Sequence, residues 1–243
     1  MTLKINKLII VVYFIKGSMY KLYHYTLCPF SRKVRFLLAH FNVPCVIIEE
    51  RFWERREQFL RLSPIGTVPL LTKKNGLIIP HSGLITDYLI SHYDKSNQEI
   101  IPSNEKLKLK AQSIAIWFDE KFFHEVSKIF LYEKVIHNFK IDEVPDVAAL
   151  NVARYNFQIH LEFLDFLLSR NAFLAGEHFT IADLSASMHI SVLDYLSEIK
   201  WSQVSPVIKD WYSIVKSKLA FKEILLDTIP NIKPSLTYET LDF

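Results

Sequence analysis

The apolar positions change period along the chain, and each change marks a different kind of element. Tyr20 to Tyr25 is an unbroken run of strand-forming residues that ends at the turn Thr26-Leu27-Cys28-Pro29. Val34, Leu37, Leu38 and Phe41 then recur at three- and four-residue spacing. That spacing predicts a helix with Pro29 at its first position, where a missing amide donor costs nothing. Pro44 to Ile48 returns to a continuous apolar run, predicted as a buried strand. Arg51 to Glu57 is mixed in charge, the pattern of a solvated helix start with internal ion pairs. Leu70 to Lys74 and Leu77 to Ile79 flank Asn75-Gly76, the strongest short signal for a tight hairpin turn. Val68-Pro69 precedes this hairpin, because a proline inside a central strand would remove a ladder hydrogen bond. Ser82 opens the next helix.

Beyond Tyr93 the polar run Asp94 to Glu99 predicts a linker, and after it the periodicity is helical throughout. Helices are predicted from Glu105 to Asn138, Pro145 to Arg170, Ile181 to Leu196, and Pro206 to Lys218 with Ser205 as cap, and a short one from Phe221 to Leu226. Thr180 and Asp183 form a capping box, which stabilises a helix start and carries no chemistry. Trp117, Phe118, Phe122, Phe123, Phe157, Phe163 and Phe166 fall at helical spacing and read as core. The order strand, thiol-bearing turn, helix, strand, then Val68-Pro69, hairpin and helix specifies a thioredoxin-like module. The expected fold class is therefore α/β plus all-α. The expected division is an extension over 1–18, the thioredoxin-like domain over 19–93, a linker over 94–104, and an all-helical domain with an extended tail over 105–243.

Half of the 243 residues are apolar and only five are glycine, which favours a helical protein with a large core. With two cysteines, Cys28 and Cys45, a disulfide framework is not the expectation; a reducing compartment, the cytoplasm, is. Cys45, inside the predicted buried strand, reads as an inert core thiol. A net charge of +3 without a long basic block points away from nucleic acid. The apolar run Leu8 to Ile15 is too short to span a membrane, which takes about 20 residues. The segment after it lacks a clean signal-cleavage site, so 1–18 is read as an extension upstream of a start at Met19.

Cys28 falls at the N-terminus of its predicted helix, where amide donors and the positive end of the dipole favour a thiolate. Arg32 and Arg35 are expected to add positive charge nearby. The pattern is C-x-x-S, with Ser31 in place of a resolving cysteine. Such a site attacks a disulfide or holds a mixed disulfide but closes no internal one. Ser82 is expected to cap its helix, a terminus able to receive a carboxylate. His124, His137, His160, His178 and His189 are scattered over separate elements and form no metal-ligand pattern.

Cys28-Pro29-Phe30, Val68-Pro69, the Ser82 helix start and the Thr180–Asp183 box together resemble the cytosolic glutathione transferase superfamily, from Tyr20 to the end of the chain. The resemblance implies a cis Val68-Pro69 peptide, with the Val68 amide and carbonyl turned toward the backbone of glutathione. It also implies Ser82 at the γ-glutamyl end of that ligand, and a homodimer. In these transferases the residue before the helix serine is acidic or an amide, and His81 departs from that. By similarity to omega-like transferases and dehydroascorbate reductases, Cys28 would be the catalytic thiol; in other classes a hydroxyl serves, here Ser31 or Thr26. A more specific resemblance lies in Phe52-Trp53-Glu54-Arg55-Arg56, Ala186 to Trp201, Trp211 to Phe221 and Leu241-Asp242-Phe243. These segments are similar to the FzlA family of alphaproteobacterial proteins, which has the transferase fold and binds the division GTPase FtsZ. That similarity implies an FtsZ-binding factor in cell division and cell shape, with no catalysis required. The alternative is a glutathione-dependent transferase or thiol reductase using Cys28. The tail Thr237 to Phe243 reads as extended and exposed yet ends in large apolar side chains, which seek a pocket on their own chain or on a partner.

Overall fold

The computed structural model describes residues 19–94, 100–139, 144–241 and 243. The expected extension 1–18 and the 95–99 part of the expected linker lie outside the described residues. β1 (Tyr20–His24) lies inside a four-stranded sheet of order β2-β1-β3-β4. It runs parallel to β2 (Cys45–Glu49) and antiparallel to β3 (Leu70–Lys73), so Leu22 sits opposite both Ile47 and Leu71. β4 (Ile78–Pro80) completes the hairpin announced by Asn75-Gly76, with Gly76 at a φ of 90° that a side chain would resist. Alternate residues of a strand share a face, and Tyr20, Leu22 and His24 are the buried set of β1.

α1 (Pro29–His40) and α3 (Ser82–Tyr93) pack together. The mixed-charge segment forms a 3₁₀ turn, Phe52–Glu54, followed by α2 (Glu57–Leu62), and carries the pairs Arg51–Glu54 and Arg61–Glu57. It is not simply solvated: Trp53 meets Tyr25 edge-on with ring centroids 4.8 Å apart.

The helical half begins with α4 (Glu105–Ile116), which continues through wide π-type turns over Trp117–Ser127 into α5 (Lys128–Leu131). Further helical turns reach Phe139, close to the predicted end at Asn138. α6 (Val147–Leu168), α7 (Ile181–Tyr195), α8 (Pro206–Lys216) and α9 (Leu219–Leu225) follow. Every residue of α7 is buried, although the helix carries Asp183, Ser185, Ser187, His189, Ser191 and Asp194. Burial of polar groups costs less where they find partners, and each of these side chains has at least one hydrogen bond, although His189 Nε2 makes none. Ser185 accepts from Lys33, Ser191 from Arg32, and His189 pairs with Ser127. α7 is thus the central post to which α1, α4 and the π-type turns attach.

Five expectations need correction. Phe166 is exposed, because it falls on the outer side of α6 with Arg170 over its ring. Ser205 occupies the N-cap position of α8 without a side-chain cap bond, leaving Pro206 to start the helix. Cys45 is half-buried rather than core, since β2 is an edge strand. Ser82 is not the cap of α3: the N-cap is His81, held at a φ of 70°, whose ring Nδ1 accepts from the Gly83 amide at 3.2 Å. The tail is not exposed throughout: Tyr238 is fully buried, and Phe243 stacks on Trp201 of its own chain, one of the two kinds of pocket expected for it.

Candidate functional site

The site expected from the sequence lies where α1 starts. Cys28 is the N-cap residue; its amide donates to the Tyr25 carbonyl at 3.0 Å and its carbonyl accepts from the Arg32 amide at 3.0 Å. The Val68–Pro69 peptide is cis, as the resemblance implies, and the Val68 carbonyl faces the Cys28 sulfur at 3.9 Å. Cys28, Val68 and Pro69 are therefore brought together from residues forty positions apart. Ser31 is fully buried and its Oγ accepts from the Tyr25 amide at 3.3 Å, so the hydroxyl braces the turn. His81 and Ser82 stand at the start of α3, with Ser82 buried and His81 exposed.

The electrostatics of Cys28 differ from the expectation. Burial pushes its thiol up from the ordinary value, and the opposing pull of the Ser31 and Phe30 groups and the Arg32 charge does not overcome it. The reason is visible in where the arginines point. Arg32 is fully buried; it donates through Nε to the Thr26 carbonyl at 3.0 Å and through Nη1 to Ser191 at 2.8 Å, and it pairs with Asp227 at 3.2 Å. Arg35 forks onto both oxygens of the same Asp227, at 2.8 and 3.0 Å. Both charges are committed to the segment after α9 rather than to the sulfur. Cys45 is no alternative, its thiol being pushed up to about 12 by burial.

Two features near this turn were not singled out from the sequence. The Tyr25 hydroxyl is buried without a hydrogen-bond partner, beside Phe52 and Trp53. A tyrosine ending a strand carries no local signal of that kind. On the opposite side, Phe30 meets Phe123 edge-on at 4.7 Å, and Lys33 pairs with Asp119, which in turn faces His189 Nε2 at 3.6 Å. Ser127 lies 2.9 Å from His189 Nδ1. The set Asp119, His189, Ser127 has the composition of a hydrolytic triad. Ser127 and His189 are nevertheless sealed in the core, so no substrate reaches them and the set acts as a brace between α1 and the helical half. Among the described residues no three of His, Cys, Asp and Glu converge as a metal site would require, and no helix is long and apolar enough to cross a membrane.

A thioredoxin-like sheet with a cis proline facing an N-cap cysteine, followed by an all-helical half, defines the glutathione transferase fold. Residues 22–97 match the family described as glutathione S-transferase, N-terminal domain. Over 227 residues the chain is 32% identical to FtsZ-localized protein A of Caulobacter vibrioides, covering 91% of this chain and 97% of that protein. Among solved structures, FzlA from C. crescentus superposes with a TM-score of 0.86 at 32% identity, over 93% of this chain and 100% of that one. A glutathione S-transferase from Rhodospirillum rubrum F11 gives a TM-score of 0.86 at 34% identity with the same coverage. The chain belongs to the glutathione S-transferase superfamily, in the family of FtsZ-localized protein A.

Proposed function

We propose that this protein is an FtsZ-binding factor of cell division and cell shape, acting as a homodimer in the cytoplasm. The observation that carries the reading is the extent of the likeness to FtsZ-localized protein A, which spans 97% of that relative and so includes the helical half and tail as well as the transferase module. The site chemistry is compatible with a scaffold that needs no turnover. The arginines beside Cys28 are spent on Asp227, and the Gly83 amide at the start of α3 is taken by His81 instead of being left for an incoming carboxylate. Co-sedimentation with FtsZ assembled in GTP tests it: the protein is expected in the pellet at micromolar concentration, and its complete retention in the supernatant would overturn the reading.

A second reading is favoured by one observation, the cis Val68–Pro69 peptide facing Cys28. In it the Val68 backbone and Ser82 hold glutathione while Cys28 takes up a mixed disulfide, releasing the other thiol of the disulfide it attacks. Isothermal titration of glutathione decides between the two. Binding in the micromolar to low-millimolar range that Ser82→Ala abolishes restores the enzyme, and absence of heat leaves the scaffold.

A further inference from the structure

α6 carries two apolar faces where a helix at the surface of a folded chain needs one. Its inner face, with Leu150, Ala153, Phe157, Leu164 and Leu167 buried, packs on the π-type turns, α5 and α8. Its outer face carries Val152, Tyr155, Ile159 and Phe166, which are 55%, 70%, 47% and 53% exposed. Successive members are three, four and seven positions apart, the spacing of a seam that a second helix covers. Glu162 occupies the one remaining seam position, so a single carboxylate interrupts the apolar row.

The two ends of the helix carry opposite charges. Asp146 is the N-cap, and Arg170 lies just beyond the last turn with its guanidinium 4.7 Å from the Phe166 ring centroid. A second α6 laid antiparallel brings its Arg170 to Asp146 and its Asp146 to Arg170, and sets the two helix dipoles in opposition. The same alignment places Ile159 beside the two-fold axis and Val152 against Phe166 of the second copy. It also sets the Tyr155 hydroxyl, a donor, opposite the Glu162 carboxylate, an acceptor. A parallel alignment would instead put Asp146 on Asp146, Glu162 on Glu162 and Arg170 on Arg170. The stripe is thus complementary to itself in one orientation, which is the condition for a two-fold contact between identical surfaces.

We propose that the outer face of α6 is a self-association surface, covered by the same face of a second copy in antiparallel register about Ile159. A single helix face is small among protein interfaces, below about 1,200 Å² in total, so the association is expected to depend on concentration.

Sedimentation equilibrium of the full chain against Ile159→Asp, which sets a carboxylate on each side of the axis, tests the surface. The mean mass of the wild type is expected to rise with concentration, and that of the variant to be twofold lower at the highest concentration. Should Ile159→Asp unfold, Phe166→Glu makes the same comparison from the end of the seam. Equal masses for the wild type and a folded variant overturn the proposal. Register is read by cross-linking with a short bismaleimide, with the wild-type thiols Cys28 and Cys45 as background. Ile159→Cys is expected to link to itself, and Val152→Cys to link to Phe166→Cys in a mixture of the two variants. Val152→Cys linking to itself would mean a parallel contact and overturn the antiparallel register. None of these readouts involves FtsZ, so failure here and failure of the co-sedimentation experiment are distinguishable.

Discussion

Cys28 owes its character to how its neighbours spend their charges. Arginines four and seven positions along the helix look, from spacing alone, like activators of a thiolate, yet both guanidinium groups reach away to Asp227 and leave burial to set the balance. The Lys33–Asp119 pair shows the reverse outcome. Burial alone would raise the Asp119 carboxyl, but the adjacent Lys33 charge and the His189 contact bring it down to about 2. A carboxyl depressed in the folded state contributes stability that is present above its unfolded value near 4 and is lost as the pH falls toward 2. The wild-type protein is therefore expected to lose about 2 kcal/mol between pH 4 and pH 2 from this group alone. Asp119→Asn, which leaves Lys33 without its partner, should be less stable than the wild type at pH 6, with the gap shrinking as the pH approaches 2. Urea denaturation at three pH values reads this directly; a gap independent of pH would detach the acid sensitivity from Asp119.

α7 shows how far a local motif can be read and where it stops. The box was legible because its two residues lie three apart, and the structure has the Thr180 amide donating to Asp183 at 2.8 Å. The same carboxylate also accepts from the Leu174 amide at 2.9 Å and from Trp211 Nε1 at 2.9 Å, and Trp211 comes from α8. Asp183→Ala is expected to cost about 3 to 4 kcal/mol, because it strands two further buried donors, whereas Thr180→Ala should cost about 1 kcal/mol as an ordinary cap. Equilibrium unfolding of the two variants makes the comparison; equal losses would mean that Asp183 is only a cap. The rod from Glu105 and α6 were equally readable, as their apolar periods are long and unbroken. Phe166 was misread for the same reason that the helices were found. A 3.6-residue period marks a stripe without saying where along the helix the covering neighbour ends.

Across the protein, the two halves are clasped at points separated by most of the chain. Arg32 on α1 reaches Ser191 in α7 and Asp227 after α9, and Lys33 reaches Asp119 and Ser185. The tail closes over the far side of α7, where Asp194 gathers Trp201, Tyr212, Ser235 and Thr237. The apolar side chains of the tail called for a pocket; only the folded chain placed Phe243 on Trp201 and Tyr212. Element types, the turn at Asn75-Gly76, the proline before β3 and the start of α1 at Cys28 were all legible in the order of residues. Each depends on backbone preferences acting over a few positions. The state of the Cys28 thiol, the self-capping of α3 by His81, the commitment of both arginines and the seat of Phe243 were decided by tertiary structure. Burial and charge pairing depend on which groups, distant along the chain, arrive at the same place.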